Sequence, residues 1–225
     1  MLLTDVMDIL ESKKKKFSVS RLYVITDFKR WSEEESSRIK EACRGGADII
    51  QLRSKTLDRE SLMEAGSAIR NVTAEEGVLF IVNDDPELAL AVDADGVHLG
   101  QGDISISAAR KIFGKKPFLI GKSTHNVRQA IAAEKEGADY IGIGPIFSTP
   151  TKPNYGAVGL PLIKEVKNVV RIPSVAIGGI DADRIPSVME AGAERVAVVR
   201  AIFGAADVYE AAQQLKEAIL RGIER

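Results

Sequence analysis

Gly46-Ala47-Asp48-Ile49-Ile50-Gln51-Leu52-Arg53-Ser54-Lys55 holds, in ten residues, the unit that decides the fold. Gly46-Ala47-Asp48 closes a helix-like stretch, because glycine suits a left-handed helix end and the next strand starts at once. Residues 49–52 form a short apolar run rich in β-branched side chains. Arg53-Ser54-Lys55 then turns polar where that run ends. Turn, apolar strand and polar end recur in this order along the chain, with Gly137-Ala138-Asp139 and Gly192-Ala193-Glu194 repeating the turn.

Eight such apolar runs can be read, at 22–26, 49–52, 79–82, 96–99, 118–121, 140–144, 174–177 and 196–199. Between them lie amphipathic stretches such as 32–44, 59–75 and 126–136. Pro86 after Asp85, and Ser107 before Ala108, mark helix starts. The runs are apolar throughout rather than alternating, which predicts a parallel sheet covered on both faces. Eight βα units within 225 residues predict an α/β fold closed as a single (β/α)8 barrel, which commonly needs roughly 200–250 residues. The rival, an open doubly wound sheet, has five or six strands and often a glycine-rich first turn. Thr26-Asp27-Phe28-Lys29, the first turn here, has no glycine. The expected division is a helical N-terminal extension over 1–20 and a barrel over 21–225.

Composition limits the function classes. Thirty-one basic and 32 acidic residues leave a net charge of −1, so no global attraction to nucleic acid or to an acidic membrane is expected. Aromatic residues make up 5% of the chain, and no stacking platform for nucleic acid is visible. The lone Cys43 fits a reducing compartment, hence a cytoplasmic location, and reads as a small buried helix residue. In MLLTDVMDILESKKKKF the lysines follow the apolar residues instead of preceding them, unlike a secretory signal. The expectation is a short amphipathic helix followed by a solvated basic turn at Lys13 to Lys16. No apolar run approaches the roughly 20 residues that span a bilayer. A homo-oligomer is compatible with the sequence.

The strand ends carry the chemistry. In a barrel all strand C-termini open on one face, where active sites sit. Asp27, Gln51 to Lys55, Asn83-Asp84-Asp85, Gly100 to Asp103, Lys122 to His125, Pro145 to Lys152, Gly178-Gly179 and Val199-Arg200 would therefore share a mouth. Arg53 and Lys55 are suited to holding a diphosphate, or Lys55 to a surface ion pair with Asp58 or Glu60. Asp84 and Asp103, on neighbouring strands, suit Mg2+, which takes few protein ligands, or else cap helices. Asp85, directly before Pro86, is the better cap. Gly178-Gly179 with the backbone after strand 8 suits a phosphate, or a plain tight turn. His98 reads as a barrel-interior histidine. His125 lies at the mouth and either meets ligand or caps the next helix.

Taken in order, LYVITD (22–27), GADIIQLRSK (46–55), VNDDPELA (82–89), ADGVHLGQGD (94–103), GKSTH (121–125), DYIGIGPIFSTPTK (139–152), VAIGGI (175–180) and VAVVRAI (196–202) resemble the thiamine-phosphate synthase family. The resemblance covers the chain from about residue 21 to 203. It implies a (β/α)8 barrel that joins a hydroxymethylpyrimidine diphosphate to a thiazole phosphate with Mg2+, giving thiamine phosphate and diphosphate. By motif it implies that Gln51, Leu52, Arg53, Ser54, Lys55 and Asn83 meet the pyrimidine diphosphate. Ser123 and Lys152 would contact its diphosphate, and Arg53, Lys55, Ser123 and Lys152 would act on the departing group. Asp84 and Asp103 would hold the metal. Thr149, Pro150, Thr151, Gly179, Val199 and Arg200 would meet the thiazole phosphate, the last two through their backbone. Pro150 departs from this pattern in having no amide N–H to donate, and 145–156 is expected to form a lid. Three rivals share the scaffold: a thiazole tautomerase, a regulatory barrel that binds thiamine-related phosphates, and a generic sugar-phosphate barrel. Retention of both aspartates with Gln51 to Lys55 counts against all three.

Overall fold

The computed structural model of the chain describes residues 3–149 and 156–224. Eight strands alternate with helices: β1 Leu22–Ile25, β2 Ile49–Leu52, β3 Leu79–Asn83, β4 Gly96–Leu99, β5 Leu119–Thr124, β6 Tyr140–Ile143, β7 Ser174–Ile177 and β8 Val196–Val198. The helices are α1 Leu3–Val19, α2 Glu33–Arg44, α3 Arg59–Glu75, α4 Pro86–Ala91, α5 Ile106–Phe113, α6 Val127–Lys135, α7 Pro161–Val169, α8 Ile185–Glu190, α9 Arg200–Phe203 and α10 Val208–Ile223. Each strand pairs in parallel with the next, and β1 pairs with β8 through Leu22↔Val196, Tyr23↔Ala197 and Val24↔Val198, closing the barrel. Among the described residues no helix is long and apolar enough to cross a membrane.

Strand pleating sorts the side chains into two cores. Val24, Ile50, Leu52, Val82, Val97 and Ile141 point outward and pack beneath the helices. Tyr23, Ile49, Leu79, Leu119, Tyr140 and Val175 belong to a second cluster inside the barrel. Cys43 is buried on the inward face of α2, and burial pushes its thiol up to about 12.

Caps set the helix starts facing the strand C-termini. Ser32, Asp58, Asp85, Asn126 and Asp207 each accept a hydrogen bond from the amide three residues on, which satisfies one of the orphan donors of the first turn. Several sequence-based boundaries shift, most by a residue, and two shifts have a visible cause. The helix expected from Ser107 starts at Ile106, because Ser105 Oγ accepts from the Ala108 amide. Strand 5, expected to end at Gly121, runs on through Lys122, Ser123 and Thr124, which pair with Ile141, Gly142 and Ile143.

The opposite face carries chemistry of its own. Asp48, Asp95 and Asp139, in the turns before β2, β4 and β6, accept from the amides of Leu22, Phe80 and Ile120 on the preceding strands. Each is also ion-paired, Asp48 to Lys216, Asp95 to Lys13 and Arg70, Asp139 to Lys14 and Arg110. The expected basic turn is helical instead: α1 continues through Lys13 to Lys16, Lys13 and Lys14 reach these aspartates at 3.1 and 3.5 Å, and Lys15 and Lys16 are solvent-exposed as expected. The same helix drives Phe17 into the inner cluster, where its ring stacks on Tyr140 with centroids 4.2 Å apart. Buried Arg195 donates to the Phe17 and Ser18 carbonyls, fixing the helix end against β8.

Two outcomes follow. Phe17→Ala removes a ring that is 2% exposed and leaves a hole under Tyr140, so it should cost about 3–5 kcal/mol in denaturant unfolding; a loss within about 1 kcal/mol would mean that the plug is not packed as described. Burial pushes the Asp95 carboxyl up, but Lys13, the Phe80 amide and Arg70 outweigh it and hold the folded value below the ordinary one. A depressed folded pKa gives stability that is present above the unfolded value, about 3.9, and is lost as pH falls through the folded one. Chemical denaturation from pH 6 downward should show that loss, and Asp95→Asn should be less stable at pH 6 with a flatter acid slope.

Candidate active site

A cavity of about 350 Å³ opens at the strand C-termini, within the ordinary size of a small-molecule site. Its floor lies inside the barrel, where four hydrogen bonds link five side chains. Gln51 Nε2 donates to the Tyr23 hydroxyl (2.6 Å), which meets the Tyr140 hydroxyl (3.0 Å). Tyr140 meets His98 Nδ1 (3.2 Å), and His98 Nε2 meets Ser123 Oγ (3.0 Å). All five line the cavity. Burial pushes both phenols above their ordinary range, so they stay protonated at neutral pH. Gly121 makes the crossing possible: a Cβ there would lie 2.2 Å from Tyr140 Cζ and 2.5 Å from His98 Nδ1.

One wall is built by β2, β3 and β5. Arg53 is 9% exposed, lines the cavity and pairs with Asp27 at 2.7 Å. Thr26 Oγ1 bonds both the amide and the carbonyl of Arg53 at 2.9 Å, locking the backbone that carries the guanidinium. Asn83 lines the same wall, in register with His98. Leu52 points the other way, into the outer core, so its backbone alone is available to a ligand. Ser54 Oγ is spent on the Phe28 carbonyl and the Leu57 amide, which shapes the loop. Lys55 is exposed and outside the cavity lining.

Asp84 and Asp103 follow adjacent strands. The Asp84 amide donates to the His98 carbonyl at 2.8 Å, and its φ of 63° is a left-handed value that few residues besides glycine, Asn and Asp adopt. Asp103 Oδ2 accepts from the Gly100 amide (2.6 Å), while Lys122 Nζ donates to the Gly100 carbonyl (2.7 Å), so the peptides on both sides of Gly100 are held. Neither aspartate caps a helix; Asp85 and Ser105 do. Among the described residues no three or more His, Cys, Asp or Glu side chains cluster as a metal cage. Two hard carboxylate oxygens on adjoining strand ends fit Mg2+, which keeps waters and takes phosphate oxygens.

The facing wall comes from β6, β7 and β8. Thr149, Gly178, Gly179, Val199 and Arg200 line it, and α9 begins just after Val199, so the amides of its first turn, which have no intrahelical acceptor, belong to the lining segment. Gly179 has φ +64°, and a Cβ there would lie 2.8 Å from the Ser148 carbonyl oxygen, so a side chain would block this close approach. Pro150, Thr151 and Lys152, with the rest of 150–155, lie outside the described residues.

Sequence reasoning missed several lining residues. Tyr23 and Tyr140 each sit two positions or more below the mouth on the inward-facing parity, a signal that counting back along each strand exposes. Asp181 and Arg184 also line the cavity; the Arg184 guanidinium lies 4.9 Å from the Phe147 ring centroid and donates to the Gly179 carbonyl. His125 lines the mouth with Nδ1 on the Gly144 carbonyl, and the adjacent Asn126, not His125, caps α6.

The chain matches the family described as thiamine monophosphate synthase over residues 22–202. It is 43% identical over 206 residues to a thiamine-phosphate synthase of Methanoregula boonei, covering 91% of this chain and 95% of that one. Identity to the thiamine-phosphate synthase of Chloroflexus aurantiacus is 46% over 199 residues, 87% of this chain and 91% of the relative. A solved thiamine phosphate pyrophosphorylase from Pyrococcus furiosus superposes with a TM-score of 0.84 at 37% identity, covering 94% of this chain and 99% of that one. A 3-hexulose-6-phosphate synthase, at 23% identity and a TM-score of 0.67 over 88% of this chain and 99% of that one, shares the fold alone. The match over almost the whole barrel, with identities above 40% to curated relatives, means that the chain belongs to the thiamine monophosphate synthase family.

Proposed function

We propose that this member of the family is a cytoplasmic transferase that joins a hydroxymethylpyrimidine diphosphate to a thiazole phosphate, with Mg2+ at Asp84 and Asp103. The observation that carries the reading is one cavity with two unlike walls. Gln51, Arg53, Asn83 and Ser123 face Thr149, Gly179, Val199 and Arg200 across it. The first set suits a polar ring bearing a diphosphate, and the second suits a phosphate bound by backbone amides. A buried, unpaired Cys43 agrees with a reducing compartment.

The chemistry asks for positioned charge and no base. The bond that breaks joins the pyrimidine methylene carbon to a diphosphate oxygen, and its electron pair leaves with that oxygen. The thiazole nitrogen supplies the pair for the new C–N bond and has no proton to lose. Arg53, fixed by Asp27 and Thr26, faces the growing negative charge from a largely buried position, where it acts more strongly than in water. Ser123 donates to the same group, and by the family motif Lys55 and Lys152 supply further cations to it. When bound, Mg2+ supplies Lewis-acid stabilisation of the departing diphosphate. Holding both substrates against opposite walls turns a bimolecular attack into a positioned one.

Mixing the purified protein with both substrates and Mg2+ should release diphosphate only when the thiazole phosphate is present. Binding without release would favour a regulatory barrel, and conversion of thiazole tautomers without coupling would favour a tautomerase. Asp84→Ala should lower turnover by at least about a hundredfold with the fold intact by circular dichroism. Asp84→Asn, which tolerates the left-handed backbone while losing the charge, should behave alike. Near-normal turnover of either variant with Mg2+ would defeat the metal assignment.

A further inference from the structure

We propose that Tyr23, Tyr140 and His98 form a hydrogen-bond chain of fixed direction that makes Ser123 a donor, and Gln51 an acceptor, toward the cavity. The proposal rests on the reading that Gln51 and Ser123 face the pyrimidine diphosphate. It gives the three residues between them a positioning role that touches turnover through Ser123.

The direction follows from counting protons. Gln51 Nε2 carries hydrogens only, so the Tyr23 oxygen accepts from it. Tyr23 has one proton and gives it to the Tyr140 oxygen, 3.0 Å away, because the reverse direction would leave the proton of a buried phenol without one of these partners. Tyr140 in turn gives its proton to His98 Nδ1 at 3.2 Å. His98 is thereby neutral, with its hydrogen on Nε2, and donates to Ser123 Oγ at 3.0 Å. Ser123 has accepted one bond and its own proton is left for a partner in the cavity that it lines. At the other end the Gln51 carbonyl oxygen remains to accept a ligand N–H. Each bond polarises the next in a medium of low dielectric, and reversing any one would require reversing all.

Packing keeps the chain in line. Tyr140 is clamped from below by Phe17, and the missing side chain at Gly121 leaves a slot that the phenol and the imidazole share. Both phenols are buried and protonated, so water does not replace the links in the middle of the chain. Ordering is thus built into the free protein, and the donor is set before substrate arrives.

The chain holds only two histidines, so the test is direct. Long-range proton–nitrogen spectra of the ligand-free protein should show His98 with its hydrogen on Nε2, assigned by loss of one imidazole in His125→Gln. Tyr140→Phe keeps the ring on Phe17 but removes the link, and should give a mixture of tautomers. In turnover, Tyr140→Phe should lower kcat about tenfold with the pyrimidine KM changed by less than about threefold, and Tyr23→Phe should do the same. Combined with Ser123→Ala, Tyr140→Phe should add nothing, because both act through one hydroxyl. A hydrogen on Nδ1 of wild-type His98, a Tyr140→Phe kcat within about twofold of wild type, or additive losses in the double variant would each overturn the proposal. Wild-type turnover by Ser123→Ala would sink the assignment of Ser123 to the diphosphate, and this use of the chain with it, even with the tautomer as expected.

Discussion

Eight closed strands leave an interior that side chains must fill, and in this barrel the filling changes from apolar to polar partway up. Below, Phe17, Ile49, Leu79 and Leu119 form a dry plug. Above them Tyr23 and Tyr140 turn apolar rings downward and hydroxyls toward Gln51 and His98. Burying those polar atoms is tolerable because each has a partner; unpaired, each would cost roughly 1–3 kcal/mol. The site is therefore the upper half of the core, and what stabilises the fold also shapes the cavity floor.

This arrangement explains why the N-terminal helix is placed as it is. Its lysines meet Asp95 and Asp139, its end is held by Arg195, and its phenylalanine supports Tyr140. Three aspartates on that face also hold amides at the starts of β1, β3 and β5, those of Leu22, Phe80 and Ile120. Chemistry thus concentrates at the C-terminal rim and stability at the N-terminal one, the usual division of labour in this architecture.

The strand–helix alternation was legible because apolar run length and Gly-Ala-Asp turns report it locally. Residues 49–52, 96–99 and 174–177 match the observed strands end for end. Strand 5 was read three residues short, since Lys122 to Thr124 look like loop until Gly142 and its neighbours are known to lie opposite. Lys13 and Lys14 looked solvated because their aspartate partners are more than eighty residues away in the chain. Of the rim residues, Gln51, Arg53, Asn83 and Ser123 were readable as polar strand ends, and the structure brings them into one cavity. Tyr23 and Tyr140 were not, because an aromatic inside an apolar run looks like core until its hydroxyl partners are in view. Arg184 was hidden for a simpler cause: it follows the strand 7 glycines by several residues and reaches back to them.

Across the cavity, charge is arranged before substrate binds. Arg53 is locked by Asp27 and Thr26, and Gly100 by Asp103 and Lys122; Asp84 and Asp103 stand outside the cavity lining, and Asp84 occupies a backbone conformation that few residues tolerate. Such preorganisation is what lets a site stabilise a departing anion without reorganising during the reaction. The central claim is that metal and diphosphate share the rim formed by strands 2 to 5. Crystals grown with Mn2+ and an unreactive pyrimidine diphosphate analogue, read by anomalous scattering, address it directly. The account predicts one metal peak about 2.1 Å from carboxylate oxygens of both Asp84 and Asp103, with the diphosphate between that ion, Arg53 and Ser123. A peak at neither aspartate, or a diphosphate seated against Gly179 and Arg200 instead, would contradict it.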